Sequence, residues 1–215
     1  MRHLDRTQVA SPPCLALYQH GRDTWETLSP DHREEIRAHL HRLQDGLCAY
    51  CEGSLSGLGE HIEHFRKRAA SPQLTFAWSN LLGSCSKPDS CGKFKDNGAG
   101  KYDIGDVIDP ATDQPDDYLR FISDGSIAPR GDLDERRLRR ATETVRVLGL
   151  DATHGRLRKM REVRLRQYLD ADPGMLDALA DWPEADRRAY VDGEIAATAT
   201  GAFCTTLRHF LESLL

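Results

Sequence analysis

Apolar residues recur at helical spacing in one early window, Ile36, Leu40, Leu43 and Leu47, behind a Ser29-Pro30 pair. That pair supplies a capping hydroxyl and then a proline in the first turn, so a helix is predicted to Gln44, with Gly46 ending it. Before it, residues 1–28 lack a period and break at Ser11-Pro12-Pro13. After it the pattern is interrupted: Gly53, Gly57 and Gly59 suit turns between short strands, and Pro72, Gly83 and Pro88 punctuate a long connection. A short helix is expected to begin near Ser90 and to carry Lys93 to Asp96. Tyr118 to Ser123 and Ser126 to Ala128 flank Asp124-Gly125, which predicts a hairpin. Two helices are expected over 132–169, striped by Leu138, Ala141, Val145 and Leu148 and then by Leu157, Met160 and Tyr168. Gly149-Leu150-Asp151 separates them, with Asp151 or Thr153 as the cap. Asp172-Pro173-Gly174 breaks the chain again, and one or two last helices reach Leu215. The class is α+β, in three parts: a helical segment 1–47, a module 48–101, and a hairpin with helices 102–215.

Composition narrows the function classes. A chain of 215 residues can bury one real core. It has no run of about 18 apolar residues to cross a membrane, and its first residues lack the apolar stretch of a signal peptide. A cytoplasmic location is the default expectation, and there clustered cysteines serve more often as metal ligands than as disulfides. Net charge is −5, which argues against a generally sticky nucleic-acid binder, but the charge is segregated. Residues 61–101 are locally basic, 102–134 acidic, 136–168 strongly basic, and the remainder acidic. A basic patch binds phosphates locally whatever the total. The Arg136 to Arg166 run is read as a solvated helical face, with a partner or nucleic-acid surface as the alternative.

The chemistry is concentrated between Cys48 and Asn97. Cys48-Ala-Tyr-Cys51 is C-x2-C, and Cys85 and Cys91 form a wider C-x5-C in which Pro88 lets the loop bulge. Two such pairs can close a tetrahedral zinc site with Zn–S near about 2.3 Å. Four thiolates leave no open position for substrate, so this zinc is expected to be structural. Cys14 and Cys204 lie far away and read as small buried apolar residues. Between the pairs stand His61, Glu63, His64 and Asn80. A carboxylate beside a histidine can hold a second metal and activate water. Phe76 and Trp78 read as core.

The motifs C-A-Y-C-E, H-I-E-H-F-R-K-R, L-T-F-A-W-S-N-L-L and C-G-K-F-K-D-N resemble an HNH (ββα-metal) endonuclease. They are similar in particular to the HNH subunit, PtuB, of Septu-type and retron-associated anti-phage systems. The resemblance implies a zinc-stabilised ββα-metal core flanked by an N-terminal helix and a helical C-terminal region. It implies His64 as general base, Glu63 as a ligand of the catalytic Mg²⁺ or Mn²⁺, and Asn80 as the side chain that pins the loop carrying the base. It implies an ATPase partner, PtuA-like, and a nucleic-acid substrate, DNA more than RNA.

The sequence departs from the family after the last cysteine, where Gly92 offers no ligand atom and Lys93 follows. Asp96, one helical turn on, is expected to complete the metal pair with Glu63, with Asn97 as the weaker candidate and His61 assisting. Strand alternation puts 61 and 63 on one face and 64 on the other, so a bulge is expected if they share a site. Arg66, Lys67, Arg68 and Lys95 are expected to bind phosphate. Two rivals remain: a binding module whose nuclease site has decayed, and an RNA-cleaving toxin.

Overall fold

The computed structural model describes residues 1–152 and 155–215. Three short 3-10 turns, at Arg6–Gln8, Pro13–Leu17 and Trp25–Thr27, lead into the first helix. Ser29 Oγ accepts from the His32 amide at 3.2 Å, Pro30 opens α1 (Pro30–Gln44), and Asp45 ends it in the left-handed conformation. Ile36, Leu40 and Leu43 form its buried face.

The small sheet next to α1 exists because its edge is covered. A short α2 (Leu55–Leu58) leads into β1 (Glu60–His64), which pairs antiparallel with β2 (Leu81–Cys85); Glu60 lies opposite Cys85 and His64 opposite Leu81. On the far side of β2 the buried Gln44 amide takes the place of a third strand. Its Nε2 donates to the Gly83 carbonyl at 2.9 Å and to the Leu47 carbonyl at 2.7 Å, and its Oε1 accepts from the Gly83 amide at 2.8 Å. The Ala49 amide donates to the same Gly83 carbonyl at 3.0 Å. Then follows α3 (Cys91–Asn97), so that β1, β2 and α3 form one ββα unit.

The predicted hairpin is present with shorter strands, β3 (Leu119–Phe121) and β4 (Ile127–Pro129), joined by a turn over 122–126. Gly125 has φ +82° there and sits against the Arg158 carbonyl, so no side chain fits. The helices α4 (Glu135–Val147), α5 (Arg156–Ala171), α6 (Met175–Ala180), α7 (Glu184–Thr198) and α8 (Cys204–Glu212) complete the chain. The α4 stripe is turned from the expected one: Leu138 is exposed, and Ala141, Thr144 and Leu148 are buried. Thr144 takes a core position because its hydroxyl accepts from the Ile108 amide at 2.8 Å and donates to the Arg140 carbonyl at 2.7 Å. Asp151 does not cap α5. Gly155 occupies that position, and Asp151 pairs at 3.3 Å with the buried Arg161, which also donates to the Gly125 and Leu150 carbonyls. Thr153 lies outside the described residues.

One core cluster gathers residues from every part of the chain, among them Leu43, Tyr50, Phe65, Leu82, Ile108, Leu119, Leu148, Leu157 and Phe203. Phe76 and Trp78 pack on a core as expected, and Cys14 and Cys204 are buried thiols outside any cysteine cluster. The segregated charges meet one another. Arg140 pairs with Asp113 at 2.7 Å, Arg139 with Asp106 at 3.3 Å, Arg137 with Asp117 at 3.7 Å, and Arg158 with Asp124. Among the described residues no helix is long and apolar enough to cross a membrane.

Gln44→Leu strips the Gly83 amide and the Leu47 carbonyl of buried partners. A loss of about 2–6 kcal/mol is expected, since each of the two unpaired buried groups costs about 1–3 kcal/mol. Urea denaturation measures it, and an unchanged midpoint would refute the edge-covering role.

Candidate metal centre and active site

Cys48 and Cys51 sit on the turn after α1, Cys85 ends β2, and Cys91 begins α3. All four are buried, and their sulfurs lie within 4.8 Å of one another. Tetrahedral Zn–S bonds of about 2.3 Å put sulfurs a little under about 4 Å apart, so the donor set fits a structural zinc without rearrangement of the fold. Backbone amides already face the sulfurs, Cys85 N to Cys48 Sγ at 3.3 Å and Gly53 N to Cys51 Sγ at 3.4 Å, which suits thiolates. Cys91 takes φ +59° to turn its sulfur inward, and its amide donates to the Leu148 carbonyl at 2.7 Å. Glu52, next to Cys51, fastens α8 to this turn by accepting from the Thr205 amide at 2.9 Å.

A cavity of about 520 Å³ runs past β1 and the outer side of α3. His61, Ile62, Glu63 and His64 all line it, although consecutive strand residues alternate faces. The cavity therefore follows the free edge of β1. The pairing with β2 is continuous from 60 to 64, so the expected bulge is absent and is not needed. Lys67, Arg68, Lys93, Asp96 and Asn97 border the same space.

His64 is buried, and its Nε2 donates to the Thr75 carbonyl at 3.0 Å. A carbonyl only accepts, so the proton sits on Nε2 and the lone pair on Nδ1. Burial lowers the ring's pKa below its usual value, with the nearby Arg68 and Lys95 charges adding to it, and so favours the neutral form. The Trp25 ring stands edge-on to it, with centroids 4.4 Å apart. Asn80, also buried, accepts from the Arg66 amide at 2.8 Å and donates to the Arg66 and Leu74 carbonyls at 3.0 and 3.3 Å. It thereby closes the loop between β1 and β2 just beyond His64.

Glu63 is enclosed with Lys95. The Lys95 ammonium is 2.8 Å from Glu63 Oε1 and 3.0 Å from Asp96 Oδ1, and it donates to the His64 and Phe65 carbonyls at 3.0 and 3.1 Å. Burial alone would raise the Glu63 carboxyl, but the hydrogen bond with His61 and the Lys95 charge outweigh it and hold it ionised. Lys95 likewise stays charged, because Glu63 and Asp96 outweigh its desolvation. With 0% of its side chain exposed, Lys95 cannot present its ammonium to a phosphate, which corrects the sequence expectation. It also corrects the metal pair: Glu63 and Asp96 do come together, but around the Lys95 ammonium. The second Glu63 oxygen, Oε2, instead faces His61 Nε2 at 3.2 Å. Adjacent ligands of an octahedral Mg²⁺ with bonds near about 2.1 Å stand about 3 Å apart, so these two atoms would fit neighbouring positions on one divalent ion once the proton they share is displaced and His61 carries its proton on Nδ1.

Gly92 has its own explanation. A Cβ on it would come within 2.6 Å of Glu63 Cδ. The carboxylate fills the space that a side chain after the last cysteine would need. Three further features were not found from sequence: the Trp25 wall, the Thr75 carbonyl, and the inward turn of Lys95. Only the last left a trace, as a lysine spaced one helical turn from Cys91 in a helix of seven residues. Arg66, Lys67 and Arg68 stay at the surface, where Lys67 donates to the Asp96 carbonyl at 3.1 Å and Arg68 pairs with Glu26 at 2.8 Å.

No protein-family model matches the chain. A protein named "Retron Vc95 putative HNH endonuclease", from Vibrio cholerae serotype O1 biovar El Tor, is 30% identical over 142 residues, 62% of this chain and 66% of the relative. The chain is a relative of HNH-type nucleases and resembles PtuB. The second match is the Septu protein PtuB of Bacillus thuringiensis, 26% identical over 107 residues, 49% of this chain and 37% of that protein. The chain thus spans a little less than two thirds of the first curated relative and about a third of the second.

Metal analysis of the purified chain is expected to find close to one zinc per molecule. Cys48→Ser or Cys85→Ser should lose it together with cooperative unfolding, because the binding free energy of such a site is folding free energy. A folded chain free of zinc would rule the site out.

Proposed function

We propose that the chain is a metal-dependent HNH-type nuclease that hydrolyses phosphodiesters in DNA in preference to RNA. In this reading it acts as the nuclease subunit of an anti-phage complex with a PtuA-like ATPase. One observation carries it: a single cavity is lined by a neutral, oriented histidine, by a carboxylate and imidazole spaced for a divalent ion, and by Lys67, Arg68 and Lys93. The flanking cations are placed to receive the phosphates on either side of the scissile bond. His64 Nδ1 takes the proton from the attacking water, and the Thr75 carbonyl and Trp25 keep the ring in place for it. His61 and Glu63 would hold the catalytic ion, which supplies charge neutralisation at the phosphate and the leaving oxygen. Lys95 holds Glu63 against the backbone of His64, so base and ligand share one anchor. Asn80 keeps the loop behind them from opening.

The packing of Gly92 against Glu63 removes the main argument for a decayed site, because glycine there makes room for the carboxylate. The PtuA-like partner rests on the resemblance to PtuB and on charge. A chain of net charge −5 with a small basic patch benefits from binding surface supplied by another subunit.

Supercoiled plasmid with Mg²⁺ or Mn²⁺ is expected to be nicked by the purified chain, alone or with the cognate ATPase, and His64→Ala should slow this about 10²–10⁴-fold. Equal nicking by both proteins would remove His64 as the base. Absence of cutting even with the ATPase would favour a binding module, and exclusive cleavage of tRNA over duplex DNA would reverse the substrate preference. Gly92→Ala should keep the zinc and the fold but push Glu63 out of position, cutting the rate at least about tenfold, as a displacement near 1 Å in a catalytic site does. Wild-type activity in Gly92→Ala would count against Glu63 as a ligand.

A further inference from the structure

A second cavity, of about 590 Å³, lies beside the one at β1, and Lys67 borders both. Its cations are Arg66, Lys67 and Lys101. The acid in its wall, Asp103, accepts from the Gly105 amide through Oδ1 at 2.8 Å, and three cations face this one carboxylate. Ile104 and Ala70 give it an apolar side. Lys67 stands between the two spaces as a post, with its ammonium 3.1 Å from the Asp96 carbonyl and 5.2 Å from the centre of the Tyr102 ring. Arg66 is firmly based, since Asn80 grips both its amide and its carbonyl.

We propose that this second cavity is a subsite for one unpaired nucleotide of the DNA strand being cut, its phosphate on Arg66 and Lys101 and its base against Ile104 and Ala70. The proposal rests on the nuclease reading and deepens it by naming the form of substrate. Charge selects a polyanion, and continuity through Lys67 puts the subsite on the path of the strand whose phosphodiester lies at His64. Contact of one base with Ile104 and Ala70 in this open hollow favours a single strand. A nucleotide of a duplex enters a concave pocket only after unstacking and unpairing, which costs a few kcal/mol, whereas an unpaired one enters freely. Apolar contact with the base carries no donor and acceptor code, so the subsite tolerates any sequence.

The test compares two substrates with the full chain and Mg²⁺ or Mn²⁺, with the ATPase added if plasmid nicking requires it. Bis(p-nitrophenyl) phosphate reaches only the cavity at His64, whereas a single-stranded DNA oligonucleotide reaches both. Lys101→Ala, which removes a phosphate contact, and Ala70→Trp, which fills the pocket, are each expected to raise KM for the oligonucleotide about fivefold or more. Both should leave its kcat, and all cleavage of the small diester, unchanged; the unchanged small-diester rate also shows that the variants are folded. The wild-type chain should cut the single strand in preference to a blunt duplex of the same sequence. Unchanged KM in both variants, or a preference for the blunt duplex, overturns the subsite and leaves the nuclease reading standing. Failure of the wild-type chain on both substrates overturns the two together.

Discussion

Four buried sulfurs within 4.8 Å of one another bring the turn after α1, the end of β2 and the start of α3 to one point, where a zinc ion would tie them together. Everything at the site is measured from that point. β2 fixes the register of β1 and so places His61, Glu63 and His64 along one edge. α3 starts at Cys91 and delivers Gly92 beneath Glu63, and Lys95 between Glu63 and Asp96. A two-stranded sheet is marginal in water on its own. A zinc–thiolate site of this kind contributes about 10–16 kcal/mol of folding free energy, as much as the whole net stability of a typical domain. Glu52 passes the constraint on to the C-terminal part of the chain, through the Thr205 amide at the start of α8.

The second constraint is the enclosed ion pair of Lys95 and Glu63. Withdrawing two charges from water costs several kcal/mol each, and the pairing compensates only when the other hydrogen-bonding positions are filled. Here the ammonium meets two carboxylate oxygens and two backbone carbonyls, and the carbonyls belong to His64 and the residue after it. The arrangement links the orientation of the Glu63 carboxylate to the backbone of His64. Lys95 thus neutralises part of the negative charge of Glu63 while Oε2 faces His61 Nε2 and packs against Gly92.

Features that obey local rules were readable in the sequence. Ser29-Pro30 marked the start of α1, Asp124-Gly125 the hairpin turn, and the cysteine spacing the four-cysteine cluster. His64 and Asn80 stood out through their motifs. What escaped depends on which side of a short element faces inward. Lys95 looked like a surface cation, because charge is normally exposed and a helix of seven residues shows too little period to indicate its buried face. Gly92 looked like a missing ligand, because a sequence does not show which side chain fills the space beside it. Leu138 looked like core for the converse reason, since the Thr144 position is decided by hydrogen bonds that apolar periodicity does not register.

Charge segregation illustrates the same limit in a different way. The basic run of α4 and α5 is compatible in sequence with a nucleic-acid surface, but much of it is spent inside the molecule on the acidic segment before it. A separate group of cations, Arg66, Lys67, Arg68, Lys93 and Lys101, borders the two cavities that meet at Lys67, with Arg68 also paired to Glu26 and Lys67 to Asp96. A patch of this size on an acidic chain attracts phosphate over about one Debye length, near 8 Å at physiological salt. That reach covers the cavities themselves and little of the surrounding surface. Under the proposed function, positive charge of this reach suits the positioning of a strand already brought to the site more than its capture from solution.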